Sequence, residues 1–183
     1  MTLKKRNGIY LAGSILILLL VIVYFISSRP DPLNGNDQAS IKKILESISP
    51  SQNNEVEILE IKDIYGKRVV AFLSDNDPSY AEFNKDEGGN YQFSNFESRN
   101  DKGLPSFLIQ DFSDQEEVHA ASMMFITNQN NTVSKLELTV NEDQVFEREF
   151  KVHQKAVEWI ELPKSNKYHF EYKYYDENDK IID

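Results

Sequence analysis

There is no cysteine in this 183-residue chain. Its absence excludes disulfides, thiolate metal ligands, cysteine nucleophiles and a lipid-modified cysteine anchor. Positive charge is also scarce, with 20 Lys and Arg against 30 Asp and Glu. Phosphate backbones are bound by clustered Lys and Arg, so the balance argues against nucleic acid as a partner. Histidine occurs only at His119, His153 and His169, in separate strand-like stretches without metal-ligand spacing. The chain has no G-x-S-x-G elbow, no P-loop and no Gly-rich phosphate cradle. With so many acids, carboxylate pairs such as Glu116 and Glu117 arise by chance. No catalysis is expected.

Acids are themselves missing from residues 1–28. Lys4, Lys5 and Arg6 precede an uncharged run whose apolar block, residues 9–26, reads "IYLAGSILILLLVIVYFI". As a helix rising ~1.5 Å per residue, this block covers roughly 27 Å, close to the hydrocarbon thickness of a bilayer. A helix also satisfies its own backbone in lipid. A cleaved signal peptide would need small residues at −3 and −1 of the cut. Cuts after Ser27 or Ser28 put Phe25 or Ile26 at −3. The block therefore reads as an uncleaved single-pass transmembrane helix. The excess of basic residues before it places residues 1–8 in the cytoplasm and the rest outside.

The outer part carries 17 Lys and Arg against 30 Asp and Glu, a formal −13. Such a surface repels anionic lipid headgroups. An exported chain without disulfides, rich in Asn, Lys, Ile, Glu and Asp, leans towards a bacterial cell envelope.

Residues 27–38, "SSRPDPLNGNDQ", have Pro30, Pro32 and Gly35 among polar residues and no periodicity, and read as a tether. An amphipathic helix follows, because Ile41, Ile44, Leu45 and Ile48 fall at i, i+3, i+4 and i+7. Asp37 or Ser40 is placed to cap it, and Pro50 cannot continue it. Alternating patterns then predict strands near 55–63 and 68–74, joined by a turn at Tyr65, Gly66 and Lys67. A further pair flanks Asp86–Asn90, and a last strand falls at 106–112. The polar "SDQEE" at 113–117 separates this module, 38–112, from a second, 113–183, of five or six short strands. The expected fold class is α+β, mostly β. It comprises the transmembrane helix, one amphipathic helix with antiparallel strands, and a small C-terminal β-sandwich-like module packed against the first.

Two groups of residues are candidate sites. In "FLSDNDPSYAEFNKDEGGNYQF", residues 72–93, Asp75 and Asp77 offer oxygen ligands at i and i+2, and Asp86 falls at the twelfth position of a calcium loop. Tyr80 stands where that loop wants glycine, and Asp, Asn, Ser and Pro are equally the residues of a β-turn. Weak calcium binding and a plain turn both remain open, and no other cofactor is expected. The second group is aromatic. Tyr168, Phe170, Tyr172 and Tyr174 share one strand face, which is either sandwich core or a binding surface. Trp159 in the preceding strand, with Tyr174 and Tyr175 nearest the turn, is the candidate binding surface.

With its anchor, its helix, "EILEIKDIYGKRVVAFLSDND", "FITNQNNTVSKLELTVNEDQ" and "VEWIELP", the chain resembles small single-pass membrane-anchored proteins of Bacillus-like, low-G+C Gram-positive bacteria. The resemblance implies an envelope location and no activity, and it carries over no functional residue. The expected function is a membrane-anchored extracytoplasmic protein that binds another envelope protein or a wall component. A divalent-cation or small-ligand sensor is the alternative, followed by a wall-polymer hydrolase.

Overall fold

A computed structural model describes residues 33–49, 55–99, 104–112 and 118–182. The anchor expected at residues 9–26 lies outside these. Among the described residues, no helix is long and apolar enough to cross a membrane.

The chain is mostly β, with one helix and antiparallel sheets. The helix α1 (Gln38–Ile48) starts at Asp37, whose side chain accepts the Ser40 N–H at 2.9 Å. Its apolar stripe buries Ile41, Ile44 and Leu45. Strands β1 (Val56–Ile64), β2 (Lys67–Ser74), β3 (Asp77–Lys85) and β4 (Tyr91–Ser98) form a four-stranded meander. The first two hairpins close through two-residue turns, Tyr65-Gly66 and Asp75-Asn76, with every φ positive. That geometry matches the right-handed twist of the strands and favours Gly, Asn and Asp.

Strand β5 (Ser106–Phe112), expected as the last strand of the first module, pairs instead with β6 (Val118–Thr127). β6 pairs on its other side with β9 (Ala156–Leu162), giving a three-stranded sheet in the order β5-β6-β9. The third sheet runs β11-β10-β7-β8, from β7 (Lys135–Val140), β8 (Gln144–Glu149), β10 (Phe170–Tyr175) and β11 (Ile181–Ile182).

Three apolar clusters stack these elements into four layers. Ile41, Ile44 and Leu45 of α1 pack on Val70, Phe72, Ala81 and Phe83 of the first sheet. The opposite face of that sheet, with Val69, Ala71 and Leu73, meets Phe107, Ile109, Met124 and Ile126 of the three-stranded sheet. The latter's other face sends Met123, Phe125 and Ile160 against Leu136, Leu138 and Val140 of the third sheet. The three-stranded sheet is thus covered on both sides, which accounts for the unbroken apolar run in β6 where alternation fails. The aromatic stripe of Tyr168, Phe170, Tyr172 and Tyr174 packs half-buried on this last core.

Part of the segment read as tether is docked. Gly35 is buried, and its N–H donates to the Tyr91 carbonyl at 2.6 Å. Arg68 donates to the carbonyls of Gly35 (2.7 Å) and Asn36 (3.1 Å) while forking onto Asp63 at 2.7 and 2.9 Å. Its guanidinium lies 4.1 Å from the Tyr91 ring centroid. A Cβ on Gly35 would stand 2.6 Å from the Phe83 ring, so only glycine fits there.

Several carboxylates are held below their ordinary values by donors fixed in the fold. The Ser40 N–H does this for Asp37, the Arg68 guanidinium for Asp63, and the Asn90 N–H for Asp86. Lys173 does it for Glu137, and the Lys180 N–H for Asp176. A lowered folded pKa stabilises the native state above the ordinary carboxylate range, and that contribution is lost as pH falls through the lowered values. Melting temperature should therefore hold near neutrality and drop in acid below the ordinary 3.8 of aspartate. Asp63→Asn should flatten part of that drop. A melting temperature that rises on acidification would contradict it.

Candidate functional site

The residues suggested for a metal loop do not converge. Asp75 sits in the β2–β3 turn and Asp86 in the β3–β4 turn, at opposite ends of β3. At about 3.4 Å per residue, that strand holds the two turns roughly 30 Å apart. Tyr80 is a mid-strand residue, buried edge-on against Phe107 with ring centroids 5.0 Å apart. The carboxylate oxygens serve their turns. Asp75 Oδ1 accepts the Glu55 N–H at 3.3 Å, and Asp86 Oδ1 accepts the Asn90 N–H at 2.8 Å. The Asp77 carbonyl accepts the Ser79 hydroxyl at 3.1 Å. Asp75 does border a small open cleft of about 310 Å³ with Glu55, Glu57 and Gln129, where Lys155 pairs with Glu57 at 2.5 Å. Among the described residues, no three His, Cys, Asp or Glu side chains are grouped to hold a metal ion.

The three aromatic candidates are also separated. Tyr174 stacks on Tyr172, with centroids 6.0 Å apart, and faces the core of the third sheet. Tyr175, one residue along the same strand, points to the opposite face, where Lys135 lies 4.3 Å from its ring centroid. Trp159 belongs to another place altogether. It lies between β9 and β1, with Nε1 donating to Glu60 Oε2 at 3.0 Å and Lys62 Nζ 4.2 Å from its ring centroid.

Trp159 opens onto a cleft of about 920 Å³. One wall is β1 and the turn after it, with Lys62, Ile64 and Tyr65. The floor is β6 and the end of β9, where the Ser122 hydroxyl bonds the Tyr65 hydroxyl at 2.7 Å. The other wall is β8, with Phe146 and Arg148, and Lys164 closes the end just beyond β9. The strand pairing explains the opening. The last β9 residue paired to β6 is Leu162, opposite Ala121, and Pro163 follows with no N–H to continue the ladder.

The cleft's charge runs against the acidic balance of residues 29–183. Lys62, Arg148 and Lys164 line it, with Glu161 as the one carboxylate in its lining among the described residues. None of the three cations has a carboxylate within ion-pair distance among the described residues. Among the described residues, Arg148 Nη1 donates to the neighbouring Glu147 carbonyl, at 2.7 Å. A net positive, partly apolar cleft stands out against the formal −13 of residues 29–183, and low-dielectric walls focus the field of the charges within them.

Comparison with protein-family models, curated proteins and solved structures gave no match. The cleft is therefore read from its own residues. Sequence reasoning named Trp159 but missed Lys62, Arg148 and Lys164, which lie about a hundred positions apart at the extremes. One signal was present. Arg148 stands between Phe146 and Phe150 on the apolar side of β8's alternation, and Lys62 shares an inward face with Ile64. Cations on the inner face of a strand either meet a carboxylate or line an opening.

Proposed function

We propose that this protein is a non-enzymatic binding protein of the cell envelope, held in the membrane by residues 9–26 with its β-rich domain outside. In this reading residues 1–8 are cytoplasmic, and the domain binds another envelope protein or a wall component through the cleft beside Trp159. The observation that carries it is the convergence of Lys62, Arg148 and Lys164, without carboxylate partners among the described residues, on a partly apolar cleft of an acidic domain. The basic N-terminus and the 18-residue apolar block supply the anchoring half of the argument.

The test uses the full chain in its own cells. A photo-crosslinking residue at position 161, inside the cleft, is expected to give a discrete adduct. The same residue at position 92, exposed on β4, is expected to give none. Protease added to wall-stripped cells should digest the domain. No adduct from position 161, or a domain that protease cannot reach, would overturn the proposal.

A further inference from the structure

We infer, on the reading that this cleft is where the domain binds, that its occupant is an extended protein segment bearing acidic and apolar side chains, and not an anionic wall polymer. Three features of the cleft carry this beyond charge alone. First, the cations come from three separate strands or their ends, Lys62 from β1, Arg148 from β8 and Lys164 after β9, so they are spread along an opening and not gathered into one phosphate cradle. Second, Ile64, Phe146 and Leu162 give the same opening apolar walls. A polyol-phosphate chain has little apolar surface to bury there, whereas a strand offers apolar and charged side chains in alternation.

Third, the bordering strands β1, β9 and β8 are each the outermost strand of their sheet. An outermost strand has a row of backbone N–H and C=O groups without ladder partners, the feature by which extended peptides add to a sheet. A peptide backbone can pair with such groups, and a polymer without amides cannot complete that pattern. The formal −13 of the outer chain then acts as a filter. It disfavours an acidic segment over the surface as a whole while the converging cations attract it, which fixes position and register more than raw affinity.

The experiment uses the full chain in detergent micelles and fluorescence anisotropy with three labelled probes. These are a peptide of about eight residues alternating Val and Glu, its Val and Lys counterpart, and inorganic polyphosphate as a polymer without side chains. The acidic peptide should bind, weaken with added salt, and weaken roughly tenfold or more in the Arg148→Glu, Lys164→Glu double variant. The Lys151→Glu, Lys167→Glu pair, exposed and outside the cleft lining, makes the same charge change and should bind as the native chain does. Matching melting curves for the two double variants separate lost binding from lost folding. Equal binding of the acidic and basic peptides, no effect of the cleft variant, or displacement of the acidic peptide by tighter-binding polyphosphate would each overturn the inference.

Failure here is distinguishable from failure of the underlying reading. If the cleft double variant still crosslinks in cells to the native chain's partner, the inference falls and the tethered binder stands. If the acidic peptide binds in micelles but no partner crosslinks in cells, the inference stands and the tethered binder falls.

Discussion

Phe125→Ala is expected to destabilise the domain by about 3–5 kcal/mol, the cost of removing a large aromatic side chain from a packed interior. Phe125 lies in β6, the central strand of the three-stranded sheet, and is fully buried. Its ring meets Phe150 edge-on at 6.2 Å, inside the cluster that joins this sheet to the third one. With a neighbouring strand on each side and a sheet above and below, β6 has little room to collapse into the space left behind. The residual cavity should be close to the full size of the ring. For a domain of this length such a loss lowers the melting temperature by roughly 6–20 °C. Urea unfolding at neutral pH measures the energy directly, and Phe125→Leu should cost less because it leaves a smaller void. A loss below about 1 kcal/mol would mean that the two sheets close over the gap, contrary to the packing described.

Arg68→Ala is expected to cost about 3 kcal/mol, because one side chain serves several groups at once. It forks onto Asp63, satisfies the carbonyls of Gly35 and Asn36, and covers the face of Tyr91. Hydrogen bonds from a charged donor contribute about 1.5–3 kcal/mol each, discounted here because half of the Asp63 side chain is exposed. The stronger check is a double-mutant cycle with Gly35→Ala, which forces a methyl group against Phe83. Both substitutions act on the docking of residues 35 and 36, so their effects should fall short of additive by about 0.5 kcal/mol or more. Strict additivity would show that Arg68 and Gly35 do not belong to one contact.

The local features of the fold were legible in the sequence, and the assembly was not. Ile41, Ile44 and Leu45 announced the buried face of α1, and Asp37 its cap, because both signals are set by neighbours within one helical turn. The turn at Tyr65 and Gly66 announced its hairpin for the same reason, whereas Asp75 and Asn76 read equally as a turn or as the start of a calcium loop. The partner of β5 carried no local signal. A strand of alternating pattern reads the same whether its neighbour precedes or follows it, and β5 pairs with β6, the strand that follows it. The cleft was hidden for a related reason. Lys62, Arg148 and Lys164 become neighbours only once β1, β8 and β9 are edges of stacked sheets. Gly35 misled in the opposite direction. Set among prolines and polar residues it looked like a linker glycine, yet its missing side chain is what lets the chain pass against Phe83.

That passage has a mechanical consequence. Tension entering the chain from its N-terminal side reaches the Gly35 to Tyr91 hydrogen bond, the Arg68 fork and the paired Asn36 and Asn90 side chains before it reaches α1. The load is delivered into β2 and the start of β4 and is shared by several bonds at once. A pull from that side therefore loads the contacts of Gly35 and Asn36 before it can peel the helix away from the sheet it covers.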